Sequence, residues 1–145
     1  MIAVDRAQLS GSPARVLLAE DDVELRALLC WRLRGAGYEV TEVGDGQELL
    51  ERLIEGHEHD GRHEPFDVVL SDINMPHFNA LDVLVGARRC LTTTPVILMT
   101  AFGDAHTRDQ ANRLGAAAVL DKPFELDELS STLARILSQP AVESH

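Results

Sequence analysis

The sequence predicts an α/β fold: a doubly wound, three-layer α/β/α sandwich on a five-stranded parallel sheet. Two observations predict it. Short apolar, branched segments alternate five times with segments of helical periodicity. Acidic, hydroxyl and basic residues recur at the carboxyl ends of the strand-like segments, where such sheets carry their sites. Right-handed crossovers between parallel strands then leave the doubly wound sandwich as the economical arrangement.

The elements follow in order. Residues 1–13 read as a flexible leader, 14–138 as the domain, and 139–145 as a tail or the start of a linker. "RVLLAE" (15–20) is a short apolar strand, and "DVELRALLCWRLRGAG" a helix with Leu25, Leu28, Leu29 and Leu33 at helical spacing, closed by glycines. "YEVTEV" (38–43) is strand-like by alternation. Gly44-Asp45-Gly46 makes a turn, after which Leu49, Leu50, Leu53 and Ile54 mark one helix face. "FDVVLS" (66–71) is the third strand and "ALDVLVGARRC" (80–90) the third helix. "PVILMT" is the fourth strand, "DAHTRDQANRLGA" a polar helix, "AAVLD" the fifth strand and "ELDELSSTLARIL" an amphipathic final helix.

Length and composition fit one globular domain: 145 residues, 45% hydrophobic and 26% charged. Thirteen basic against 24 acidic residues give a formal charge of −11, which repels a phosphate backbone and argues against direct nucleic-acid binding. No apolar run reaches membrane-spanning length, and the first residues lack the apolar core of a signal peptide. Cys30 and Cys90 read as buried or half-buried thiols in a reducing cytoplasm. Trp31 reads as a packed or half-exposed helix residue.

Glu20, Asp21 and Asp22 follow the first strand, Asp72 and Asn74 the third, Thr100 the fourth and Lys122 the fifth. Carboxylates converging at one edge repel each other unless a cation lies among them. An all-oxygen set favours a hard ion, and a few carboxylates with water and a phosphoryl oxygen suit Mg²⁺. A lysine and a threonine hydroxyl suit phosphate, and a carboxylate is a competent phosphoryl acceptor. Together they describe phosphoryl transfer onto Asp72 by positioning and charge neutralisation.

"VLLAEDD", "VVLSDINMP", "PVILMTA" and "DKPF", in this order and spacing, resemble the receiver domain of bacterial two-component response regulators, from about Arg15 to Leu137. The resemblance implies a flavodoxin-like, CheY-like sheet of order 2-1-3-4-5. It implies that Glu20 and Asp21 are the acidic pair and that Asp72 accepts phosphate from a histidine kinase or a histidine phosphotransfer protein. Mg²⁺ is held by Glu20, Asp21, Asp72 and the backbone carbonyl of Asn74, while Thr100 and Lys122 contact the phosphoryl group. The output, another domain or a downstream protein, is read at the face of the polar helix, fifth strand and final helix. The chain is then a cytoplasmic regulator rather than an enzyme, with self-phosphorylation from phosphodonors and slow self-dephosphorylation its only reactions, and a homodimer is compatible with it.

Alternatives stay open. Asp21 and Asp22 could cap the first helix, and Asp22 lies one position beyond the acidic pair. Val119 stands where receivers commonly carry Tyr or Phe, which puts the usual threonine–aromatic coupling in doubt and keeps a non-phosphorylated interaction module as a rival. A haloacid-dehalogenase-like phosphatase is a weaker one, since Asn74 stands where it needs an acid. "GHEHDGRHE" (56–64), with His57, His59 and His63, reads as a solvated loop with a transition-metal site as the alternative.

Overall fold

The computed structural model describes residues 13–58, 66–75, 78–79, 81–82, 85, 94–101 and 105–139, with the backbone alone at 54–58 and 78–79. Strands β1 (Arg15–Ala19), β2 (Glu39–Val43), β3 (Val68–Asp72), β6 (Val96–Thr100) and β7 (Ala118–Asp121) form one parallel sheet of order β2-β1-β3-β6-β7. Numbered by the five main strands, that is the order 2-1-3-4-5. Helices α1 (Val23–Gly35), α2 (Gly46–Glu58), α3 (Ala105–Arg113) and α4 (Leu126–Ser138) cover it.

Both faces of a parallel sheet are buried, so its central strands are nearly continuous in apolar residues. Every residue of β3 and β6 is buried. Successive residues point to opposite faces and feed two cores. Leu17, Val69 and Leu98 join Leu49, Leu53 and Ala111 on one side. Val16, Leu18, Leu70 and Ile97 join Leu29, Leu33, Leu129 and Leu133 on the other.

Local chemistry sets the helix ends. Asp22 caps α1, its Oδ1 accepting from the Leu25 N–H at 3.1 Å, so the capping reading holds for that residue. Gly37, with φ of 96°, lets the chain leave α1 in a left-handed conformation. Asp45 Oδ1 accepts from the Glu48 N–H at 2.8 Å, and Glu48 Oε2 accepts from the Gly44 N–H at 2.9 Å. This reciprocal pair acts as a capping box, so Gly46 belongs to the helix rather than to a turn.

Several expectations are corrected. Helix α2 continues to Glu58, which places His57 in its last turn rather than in a loop; His59 and His63 lie outside the described residues. Trp31 is 71% exposed, and Leu28, expected on the buried face of α1, is 45% exposed. A two-stranded antiparallel hairpin, β4 (Asn74–Met75) with β5 (Phe78–Asn79), follows β3 where a plain loop was expected. Of the helix expected over 80–90, Leu81, Asp82 and Val85 are helical and the remainder lies outside the described residues, as does Cys90. Cys30 is a buried free thiol, and burial, with a hydrogen bond to Glu42, pushes it up to about 11.

Candidate functional site

Strands β1, β3 and β6 end side by side, Ala19 beside Ser71 and Asp72 beside Met99. Parallel pairing therefore brings the residues at their carboxyl ends to one edge. The Glu20 N–H extends the sheet by one bond, donating to Val43 O at 3.2 Å. Glu20 has no solvent exposure, Asp72 is 7% exposed, and Asp21 stands in solvent between them. One carboxylate oxygen from each of Glu20, Asp21 and Asp72 lies within 4.8 Å of the others.

Lys122 crosses from the end of β7 to neutralise this cluster. Its Nζ donates to Glu20 Oε1 at 2.6 Å and to Asp72 Oδ2 at 2.8 Å. The Lys122 N–H donates to Thr100 O at 2.7 Å, so the buried threonine and the lysine are locked together through the backbone. The Lys122–Pro123 peptide is cis. Asp72 is also held from its own strand: Oδ1 accepts from the Asn74 N–H at 2.9 Å, while Ser71 Oγ donates to Asp72 O at 2.9 Å.

Burial raises the Glu20 carboxyl above its ordinary 4.5, opposed by the hydrogen bonds from Lys122 and the Asp22 N–H and assisted by the Asp72 charge. For Lys122 burial works downward, but the hydrogen bonds to Asp72 and Glu20 outweigh it and leave the ammonium above 10.5. The site is thus a part-buried ammonium shared by two carboxylates, with a third in water beside them. Three converging carboxylates, all oxygen donors with one side open to solvent, fit a hexacoordinate Mg²⁺ that keeps several waters.

All six residues singled out from sequence (Glu20, Asp21, Asp72, Asn74, Thr100 and Lys122) gather at this edge. Arg26, which sequence reasoning passed over, also reaches it: Nη1 donates to Glu20 O at 2.7 Å. The sequence signal available was its position on the first turns of α1, the helix that leaves the acidic pair.

Residues 16–134 match the response regulator receiver domain family. The transcriptional regulatory protein ZraR of Klebsiella oxytoca is 32% identical over 130 residues, covering 90% of this chain and 28% of that protein. The transcriptional activator protein PfeR of Pseudomonas aeruginosa is 39% identical over 134 residues, covering 92% of this chain and 41% of that protein. The chain thus spans less than half the length of these two relatives. The chemotaxis response regulator CheY4 of Vibrio cholerae superposes with a TM-score of 0.75 at 29% identity, covering 86% of this chain and 99% of that one.

Proposed function

The chain belongs to the response regulator receiver domain family, and from that premise we propose that it accepts a phosphoryl group on Asp72 from a phosphohistidine donor, assisted by Mg²⁺. One observation carries the proposal: a nearly buried carboxylate at a strand end, bonded to Lys122 Nζ at 2.8 Å and within 4.8 Å of two further carboxylates. Such a cluster costs stability unless its charge is used, which argues against a module that is never phosphorylated.

An oxygen of Asp72 attacks phosphorus, the P–N bond of the donor breaks, and the imidazole leaves with a proton. The product is an acyl phosphate. Mg²⁺, held by Glu20, Asp21, Asp72 and the Asn74 carbonyl, supplies charge neutralisation for the phosphoryl oxygens. Lys122 exchanges its bond to Glu20 for one to the phosphoryl group, and the Thr100 hydroxyl donates a second. Water attacks the same acyl phosphate, so the protein dephosphorylates itself slowly and catalyses no reaction of another molecule.

The partners are a sensor histidine kinase or histidine phosphotransfer protein on the input side. An output domain or downstream protein engages the face of α3, β7 and α4. These partners place the protein in the cytoplasm; no helix among the described residues is long and apolar enough to cross a membrane. Incubation with acetyl phosphate and Mg²⁺, read by intact mass, tests the function. One added phosphoryl group that requires the divalent ion and is lost in Asp72→Asn supports it. Undiminished labelling of that variant overturns it.

A further inference from the structure

We infer that Arg26 is a positioning residue for the acidic pair, fixing the peptide that aims Asp21 at the metal, and that Gly44 is the residue that leaves room for it. The inference rests on the reading of Glu20, Asp21 and Asp72 as Mg²⁺ ligands.

The sheet ends at Glu20. Its N–H donates to Val43 O, but the next bond of a parallel ladder in this register, from the Asp45 N–H to Glu20 O, is not made, so the pairing of β1 and β2 does not continue. A charged donor replaces the missing strand donor. Arg26 Nη1 lies 2.7 Å from Glu20 O, and its Nε lies 3.6 Å from Glu42 Oε1, which holds the guanidinium from the other side. The arginine side chain is 22% exposed, so the bond is largely shielded from water.

This carbonyl belongs to the peptide between Glu20 and Asp21. The Glu20 carboxylate is fixed independently by Lys122 and by the Asp22 N–H, which donates to Oε2 at 3.1 Å. Asp21 is exposed, and its carboxylate has no hydrogen-bond or ion-pair partner among the described residues. The direction of that carboxylate therefore follows its own backbone, and Arg26 grips that backbone one peptide away. Ligand-orienting partners of this kind set metal affinity as ligands do.

Gly44 lies against the guanidinium. A Cβ there would stand 2.8 Å from Arg26 Nη1 and 3.7 Å from Cζ. The backbone of Gly44 is not in the left-handed region, so the one obstacle an alanine methyl meets is the Arg26 guanidinium, which would have to shift from its place.

The test is a cycle of variants read by Mg²⁺ calorimetry on the metal-free protein, with thermal melting in parallel. Arg26→Ala is expected to weaken Mg²⁺ about tenfold, Arg26→Lys to recover part of the loss, and Gly44→Ala to weaken binding several-fold on its own. In the Arg26→Ala background, Gly44→Ala is expected to have no further effect, because its clash has gone. A Kd for Arg26→Ala within twofold of the parent overturns the inference, even if the melting point falls. Additive losses in the double variant overturn the role of Gly44. Should Arg26→Ala not fold, Arg26→Lys and Gly44→Ala carry the same comparison: parental Kd values in both overturn it. Asp21→Asn separates the two readings. Lost binding there with parental binding in Arg26→Ala refutes only the positioning role, whereas a parent chain that binds no Mg²⁺ refutes both.

Discussion

Lys122 Nζ lies 2.6 Å from a carboxylate with no exposure and 2.8 Å from one that is almost buried, so without metal it is the cation that holds this edge together. Removing one partner of a buried pair leaves an uncompensated charge. Lys122→Met is therefore expected to destabilise the metal-free protein at pH 7 by about 3 kcal/mol, and Mg²⁺ to restore part of the loss. The pH dependence follows from the two shifts. Lys122 sits above 10.5, so its stabilisation is complete below that value and is lost as pH rises through the raised one. Glu20 is raised above 4.5, so its contribution is present below 4.5 and lost as pH rises through its raised value. The deficit of the variant should hence shrink as the solution is acidified and the Glu20 carboxyl takes up its proton. Urea unfolding at two pH values, with and without Mg²⁺, checks this; a variant as stable as the parent at pH 7 without metal would contradict it.

Helices α1 and α4 differ in how far their sequence pattern revealed their burial. In α4 the buried residues Leu129, Leu133, Ile136 and Leu137 follow the apolar spacing. In α1 the same spacing includes Leu28, which stands in solvent because Leu29, Cys30 and Leu33, with the partly buried Leu25, form the face that packs on the core. Leu133→Ala should cost about 3 kcal/mol as a core truncation, whereas Leu28→Ala should stay within about 0.5 kcal/mol; denaturant midpoints decide between them. The hairpin of β4 and β5 could not be read in advance, since two-residue strands carry no period. The extension of α2 through His57 was hidden by a run of polar residues with no apolar face. Helix α3 buries only Ala111 and is tied to β7 by an ion pair between Arg108 and Asp121, both partly exposed. A helix so lightly packed opens at low cost. Val119, half-buried against the core, offers no ring to follow Thr100. Hydrogen exchange with beryllofluoride, an acyl-phosphate mimic, should therefore change protection in α3 and leave β7 nearly unaltered. A response confined to β7 would contradict this.

Across the whole molecule, the fold and the site were legible for one reason: strand order and strand-end chemistry are linked in a parallel sheet. Once the alternation of apolar strands and periodic helices gave the sheet, Glu20, Asp72, Thr100 and Lys122 had to share an edge despite separations of up to 102 residues. What stayed hidden depends on side-chain reach rather than on pattern. Arg26 spans from α1 to the Glu20 carbonyl, and Trp31 points outward from a helix whose sequence does not mark that side. The central claim is that this edge exists to phosphorylate Asp72, and the acyl phosphate it produces can be trapped. Borohydride reduces an aspartyl phosphate to homoserine, so peptide mapping after treatment with acetyl phosphate, Mg²⁺ and borohydride locates the modified residue. The account predicts homoserine at position 72 and at no other acid, with none formed when Mg²⁺ is withheld. Homoserine at Asp21 or Asp22, 5-hydroxynorvaline at Glu20, or unmodified Asp72 in protein that has gained a phosphoryl group, would contradict it.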